Sequence, residues 1–328
     1  MVETEGYISV LRSVNKLAKI AVLLATYQGE TYLSEQLDSL LQQTFQDFVI
    51  YIHDDGSSDG TLQVIQDYAK QYPEKIVLLT YEKAGGSAAN FMSMLRYAKE
   101  PYIMFCDQDD VWLSDKIEQS YQTMKCIEEG AENHPCLVFT DLRVVDQNLQ
   151  TISESFMTYT KRNPYRTAYT QLLVQNVAPG CTMMINQTLA KYMQRYTSME
   201  AIQMHDWWAI LIASAYGKVS YLANATILYR QHIQNVVGAV DRSLPARLKN
   251  CISAYQKGTY ISMKREGMKN LIAFAENLLQ VGDLPVEKRE TLEGICCFPS
   301  MSKLQRIRFC KKYDVSTYQR NWWFLCWV

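Results

Sequence analysis

Pro101-Tyr102-Ile103-Met104-Phe105-Cys106-Asp107-Gln108-Asp109-Asp110 is an apolar run that stops abruptly on three carboxylates. A strand ending this way puts Asp107 and Asp109 on one short turn, where hard oxygen ligands suit Mg²⁺ or Mn²⁺ and leave coordination positions for phosphate oxygens. Acidic residues after a strand also form ordinary solvated turns, so neighbouring segments decide the reading. Val49-Ile50-Tyr51-Ile52-His53 runs into Asp54-Asp55-Gly56-Ser57-Ser58-Asp59-Gly60, and Ile20-Ala21-Val22-Leu23-Leu24 ends at Ala25-Thr26-Tyr27-Gln28-Gly29. Three strands thus end in polar loops ahead of helical patterns, and in a parallel sheet those loops share one edge.

The pattern around them alternates. Strands are expected near 19–25, 48–53, 75–81, 101–106 and 136–145. The helices between carry Leu33, Leu37, Leu40 and Leu41, then Leu62, Ile65 and Tyr68, at helical spacing. Alternation of this kind predicts a right-handed βαβ sheet with helices on both faces. Beyond Asp146 the pattern loosens, then resumes with a helix near 167–175, a strand at 181–185, a buried helix at 205–216 ended by Gly217, and strands at 218–222 and 226–229. The expected organisation is a domain over 1–240, with halves at about 18–146 and 147–240, followed by a helical region rich in Lys and Arg over 241–328.

Bulk properties narrow the function. The 328 residues, 48% hydrophobic, suffice for a large packed core. Basic and acidic residues balance, 33 against 34, so no global field favours nucleic acid as a partner. Nine cysteines without a Cys-x-x-Cys pair fit reduced cytosolic thiols. The first residues lack the features of a signal peptide, and no apolar run reaches the ~20 residues of a membrane helix. The expectation is a cytoplasmic protein. Neither Gly-x-Gly-x-x-Gly nor Gly-x4-Gly-Lys-Ser/Thr occurs, which argues against dinucleotide dehydrogenases and P-loop ATPases.

Five motifs in order, Ala25–Gly29, Asp54–Thr61, Asp107–Asp110, His205-Asp206-Trp207-Trp208 and Tyr229-Arg230-Gln231-His232, resemble the inverting family 2 glycosyltransferases of the GT-A fold. Phe105–Trp112 and the stretch from Tyr229 to Gly238 resemble bacterial rhamnosyltransferase-type members that build surface polysaccharide. The resemblance covers about residues 18–240. It implies a Rossmann-like, mixed but mainly parallel sheet flanked by helices, with a helical C-terminal extension, and a nucleotide-sugar donor with a glycan or lipid-linked acceptor.

Residue roles follow from that resemblance, each beside a plainer reading. Ala25, Thr26, Tyr27 and Gly29 would lie along the nucleotide, with Asp55 accepting hydrogen bonds from the base or ribose; Asp59 reads as a helix cap. Asp107 would contact ribose or donor sugar, and Asp109 the metal. Asp206, dehydrated by Trp207 and Trp208, would be the general base, or else only cap its helix. His232 would complete the metal shell, or serve as a hydrogen-bonded structural histidine. Arg230 suits the diphosphate, Gly180 suits a close approach of backbone and sugar, and His205 would orient local hydrogen bonds. Gly85-Gly86-Ser87 reads equally as a nucleotide-side loop and as a helix start.

In the tail, Lys303, Arg306, Arg308, Lys311, Lys312 and Arg320 precede Asn321-Trp322-Trp323-Phe324-Leu325-Cys326-Trp327-Val328. Basic and tryptophan-rich, 303–328 suits peripheral contact with the inner face of a membrane, or packing against the domain or a second subunit. The resemblance to rhamnosyltransferase-type members implies dTDP-L-rhamnose as donor, with a UDP-hexose as alternative. A nucleotidyltransferase and a non-catalytic sugar-binding protein are the rival functions.

Overall fold

Continuous apolar runs, rather than alternating ones, mark strands buried on both faces. The computed structural model describes residues 17–131, 133–196, 202–232 and 260–317, and such runs form the middle of its sheet. Strand β1 (Ile20–Thr26) lies between β2 (Phe48–Asp54) and β4 (Tyr102–Cys106), and β2 carries β3 (Ile76–Leu78) on its outer side; all three pairings are parallel. Ile20 to Leu24 and Ile103 to Cys106 are fully buried. Helices α1 (Leu33–Leu41), α2 (Thr61–Gln71) and α3 (Ser87–Met94) connect these strands, burying Leu33, Leu37, Leu40 and Ile65 as their spacing predicts, whereas Leu62 on α2 is left 40% exposed.

The second half changes direction. Beside β4 the order continues with β8 (Met183–Asn186), β6 (Cys136–Val145), β9 (Lys218–Arg230) and β5 (Val111–Trp112), and β7 (Thr151–Ser153) pairs with β6. Here only β6 and β9 run parallel; β8 is antiparallel to β4 and β6, and β5 to β9. The sheet is mixed, with its parallel character concentrated in the first half. Helices α4 (Lys116–Glu128), α5 (Phe156–Tyr159), α6 (Tyr169–Leu172), α7 (Gln187–Met193) and α8 (His205–Tyr216) complete this part.

Several local expectations shift. The two strands expected at 218–222 and 226–229 are one, because the register against β6 steps from Leu222 to Ala225 across a bulge. The Ala223-Asn224 pair is an irregularity within the ladder, not a turn. The strand expected to open at Cys181 begins at Met183, after a 3₁₀ turn over Gly180–Thr182, and the helix near 167–175 shortens to α6. α8 is apolar nearly all round and correspondingly buried. It stops at Gly217, where a Cβ would stand 1.8 Å from the carbonyl oxygen of Pro135.

C-terminal helices α9 (Tyr260–Val281), α10 (Val286–Cys296) and α11 (Lys303–Tyr313) join the same buried cluster through Leu271, Phe274, Leu278, Leu292, Ile295 and Cys310. α11 opens with a capping box between Ser302 and Gln305. The expected boundary at 240 and the aromatic segment 321–328 lie outside the described residues.

Candidate active site

Because β1 is flanked by β2 on one side and β4 on the other, strand order reverses between β1 and β4. Crevices form at such points beyond the carboxyl ends of the strands. The loop after β1 and the acidic turn after β4 meet there. Gln108, between the two aspartates, clasps the backbone of Tyr27: the Tyr27 N–H donates to its Oε1 at 2.8 Å, and its Nε2 donates to the Tyr27 carbonyl at 2.8 Å. Gly29 gives this amide room, since a Cβ would lie 2.3 Å from Gln108 Oε1.

Four carboxylates gather on the acidic side. Burial, then the charges of Asp109 and Asp206, push Asp107 up to about 7. Asp110 is fully buried and held well above the carboxylate range by burial and by Asp109 and Asp107. One of its oxygens accepts the Arg230 N–H at 3.1 Å, while Oδ2 is buried with no hydrogen-bond partner among the described residues. Crowded like charges and an unsatisfied buried oxygen are relieved by a cation. Asp109 Oδ2 lies 2.8 Å from His232 Nε2, bringing together the two residues expected to bind metal. This oxygen and imidazole set fits Mg²⁺ or Mn²⁺. Asp107, Asp110 and Cys181 also bring ligand atoms within 4.8 Å of one another. Burial keeps the Cys181 thiol protonated, so it serves Asp107 as a hydrogen-bond donor.

Arg230 requires a correction. Expected on the diphosphate, it is 2% exposed and spends its guanidinium on the protein. Nε donates to the Asp109 carbonyl at 2.9 Å, Nη1 to the Gln147 carbonyl at 2.7 Å and Nη2 to Glu35, with the plane over the Tyr32 ring. Its fork braces the acidic turn from behind, because β9 delivers it beneath that turn rather than into the crevice.

On the nucleotide side, Asp55 takes the N–H groups of Ala84, Gly85 and Gly86 at 2.6, 3.2 and 2.7 Å. It shapes the glycine loop, which the positive φ of Gly85 and Gly86 reserves for glycine. Loop and carboxylate therefore act as one unit, a link between segments far apart in sequence. Thr26 Oγ1 donates to Asp54 at 2.9 Å, and Asp54 also accepts the N–H groups of Gly56 and Ser57. Ala25 packs against the core and Tyr27 stands 57% exposed at the mouth. The N-cap of α2 is Gly60, with no side-chain cap bond, so Asp59, read as the cap, stands one residue earlier and accepts the Thr61 N–H and hydroxyl instead.

Asp206 occupies the first turn of α8, with Trp208 fully buried behind it. Burial pushes it up to about 6, against lowering by the Trp207 N–H, the Arg162 charge, the Gly180 N–H and the Asn176 side chain. The Trp207 N–H lies 2.6 Å from Oδ1. Gly180 is small because α8 comes close: a Cβ there would meet His205 Nε2 at 2.7 Å and Asp206 Cβ at 3.3 Å. His205 does not orient hydrogen bonds as expected. Its ring packs between Phe91 and Phe105, neither nitrogen has a hydrogen-bond partner among the described residues, and burial drives its pKa down to about 3.

An acidic turn and a buried carboxylate thus share one crevice at the reversal point of the sheet. The family model described as "Glycosyl transferase family 2" matches residues 21–192, more than half of the chain. The chain belongs to glycosyl transferase family 2 and is a glycosyltransferase. It is 31% identical over 230 residues to dTDP-rhamnosyl transferase RfbG of Shigella flexneri, covering 66% of this chain and 74% of that one. It is 28% identical over 171 residues to the Escherichia coli UDP-Glc:alpha-D-GlcNAc-diphosphoundecaprenol beta-1,3-glucosyltransferase WfgD, covering 52% of this chain and 61% of that one. Among solved structures, residues 1–349 of S. aureus TarS superpose with a TM-score of 0.52 in the complex with UDP-GlcNAc, at 15% identity, over 94% of this chain and 90% of that one. The complex with UDP gives 0.51 at 17% identity, over 87% and 73%. These likenesses establish the GT-A fold.

Proposed function

We propose that this glycosyltransferase is metal-dependent and inverting, and that it transfers L-rhamnose from dTDP-L-rhamnose to a lipid-linked or growing cell-surface polysaccharide. One observation carries the chemistry: Asp109 paired with His232 at 2.8 Å, in a site whose other charged wall includes Asp107 and the buried Asp206. Asp109 and His232 would hold Mg²⁺ or Mn²⁺, which when bound neutralises charge on the departing nucleoside diphosphate.

The remaining work falls to the chain. The clasp of Gln108 on Tyr27 and the glycine loop on Asp55 shape the nucleotide side. Asp206 accepts the proton of the acceptor hydroxyl as its oxygen attacks the anomeric carbon and the bond from that carbon to the phosphate oxygen breaks. A base near 6 is ionised at neutral pH yet retains proton affinity, as general-base catalysis needs. The likeness to RfbG supports rhamnose. The names of WfgD and the TarS complexes support a second reading, a UDP-hexose donor.

No described helix is long and apolar enough to cross a membrane. The exposed Leu304 beside Lys303, Arg308, Lys311 and Lys312 supports peripheral contact with an anionic membrane face, where a lipid-linked acceptor would reside. Nucleoside diphosphate release from a panel including dTDP-L-rhamnose and UDP-glucose, with Mn²⁺ or with chelator, tests the reading. Turnover independent of metal, or of every nucleotide sugar, would overturn it.

A further inference from the structure

The end of α11 is tied to the acceptor half by an ionic latch whose Arg166 end is buried and whose Asp314 side chain is 51% exposed. Arg166, 9% exposed, donates from Nη2 to Ser316 Oγ at 2.6 Å and to the two Asp314 oxygens at 3.3 and 3.4 Å. Asp314 also accepts Ser316 Oγ and Gln171 Nε2, each at 2.6 Å. It sits at φ 49°, a left-handed position that Asp tolerates better than most residues and that turns its carboxylate back toward Arg166.

The segment so held, 166–176, touches the base helix on its other side. The Leu172 carbonyl accepts Trp207 Nε1 at 2.5 Å, the Thr167 carbonyl accepts Ser214 Oγ at 2.6 Å, and the Asn176 side chain donates to Asp206. The C-terminal helices also grip α8 directly. Phe274 packs on the Trp207 ring at 5.0 Å, Lys288 Nζ donates to the Ala215 carbonyl at 2.6 Å, and Tyr216 donates to the Leu278 carbonyl. Asp206 is therefore positioned by contacts whose far anchor is the C-terminal unit.

We infer that Arg166 and Asp314 are positioning residues for the transfer step: the latch fixes 166–176, which holds Trp207 and Asp206 in line with the donor. This rests on the assignment of Asp206 as the base. Displacing a reacting group by about 1 Å costs up to ~100-fold in rate, whereas donor contacts on the opposite strands stay in place.

The test uses the full chain with Arg166→Met, Arg166→Lys, Asp314→Asn and, alongside, Asp206→Asn. Arg166→Met and Asp314→Asn are expected to lower kcat about tenfold or more, with donor KM and calorimetric affinity for dTDP and UDP within about twofold, and Arg166→Lys to recover part of the loss. Amide exchange should quicken at 172–176 and 204–208 but not at 25–29 or 107–110, a readout that needs no turnover. Should Arg166→Met fail to fold, Gln171→Ala, which removes one bond to Asp314, should give the same exchange pattern in milder form. Unchanged exchange at 204–208, or nucleotide affinity falling in step with kcat, overturns the inference. A silent Asp206→Asn sinks the base assignment and this inference together; a crippled Asp206→Asn beside wild-type latch variants sinks this inference alone.

Discussion

His232 Nε2 and Asp109 Oδ2 lie 2.8 Å apart, although 123 positions separate them in the chain. β9 ends at Arg230, whose N–H and guanidinium brace the acidic turn, and two residues later the imidazole reaches the carboxylate. Asp109→Asn and His232→Ala should each lower transfer by about 100-fold or more, as expected when transition-state charge loses its stabiliser. Each should also abolish the rise in melting temperature that Mn²⁺ with dTDP or UDP produces in the parent. Calorimetric melting with and without the metal checks both effects.

Asp206 should set the acid limb of the rate profile. It must be ionised to accept a proton, so log kcat should rise with unit slope up to about pH 6 and level off above it. The charged groups that act on it are Asp107 and Arg162, beside the Asn176 side chain; removing the Arg162 charge should move the limb to higher pH. Asp206→Asn should abolish the limb and lower kcat by ~100-fold or more.

The same residue weighs on stability. Its folded pKa lies above the unfolded value, so its contribution is fully present below about 3.8 and is lost as pH rises through about 6. At pH 7.5 the buried charge costs at most about 3 kcal/mol, one pKa unit being worth about 1.4. Asp206→Asn should therefore raise the melting temperature at pH 7.5 and leave it nearly unchanged at pH 4, as differential scanning calorimetry would show.

Gln108→Ala removes both hydrogen bonds that fix Tyr27 and should weaken dTDP or UDP binding about tenfold with a smaller effect on folding. Gly29→Ala should match it, because the added methyl displaces the Gln108 amide. Equal affinities for parent and variants in calorimetric titration would refute the clasp.

Gly217→Ala should destabilise without any catalytic cause. Its methyl would press on the Pro135 carbonyl, and backbone on both sides must shift, at a cost of about 3 kcal/mol or more. Urea unfolding should show a lower midpoint with an unchanged slope.

The apolar runs at Ile20, Val49 and Tyr102 and the leucine spacing of α1 made the parallel half of the sheet legible, because burial on both faces leaves a local signature. So did the acidic turn, since Asp107-Gln108-Asp109-Asp110 follows directly on its strand. The second half was harder to read. The bulge in β9 imitates a turn, and the two-residue β5 has no signature of its own.

Sequence alone established a strand-helix alternation whose strands end in carboxylates, because periodicity and chain order are local properties; the sugar-nucleotide reading came from the resemblance to family 2 glycosyltransferases. Tertiary structure decided what each polar group faces. It turned Arg230 away from the crevice to brace the turn, gave Gln108 to Tyr27 and Asp55 to the glycine loop, and tied Asp314 to Arg166. Hydrogen bonds join groups by distance in space, and a buried donor takes whichever acceptor the packed fold brings within about 3 Å.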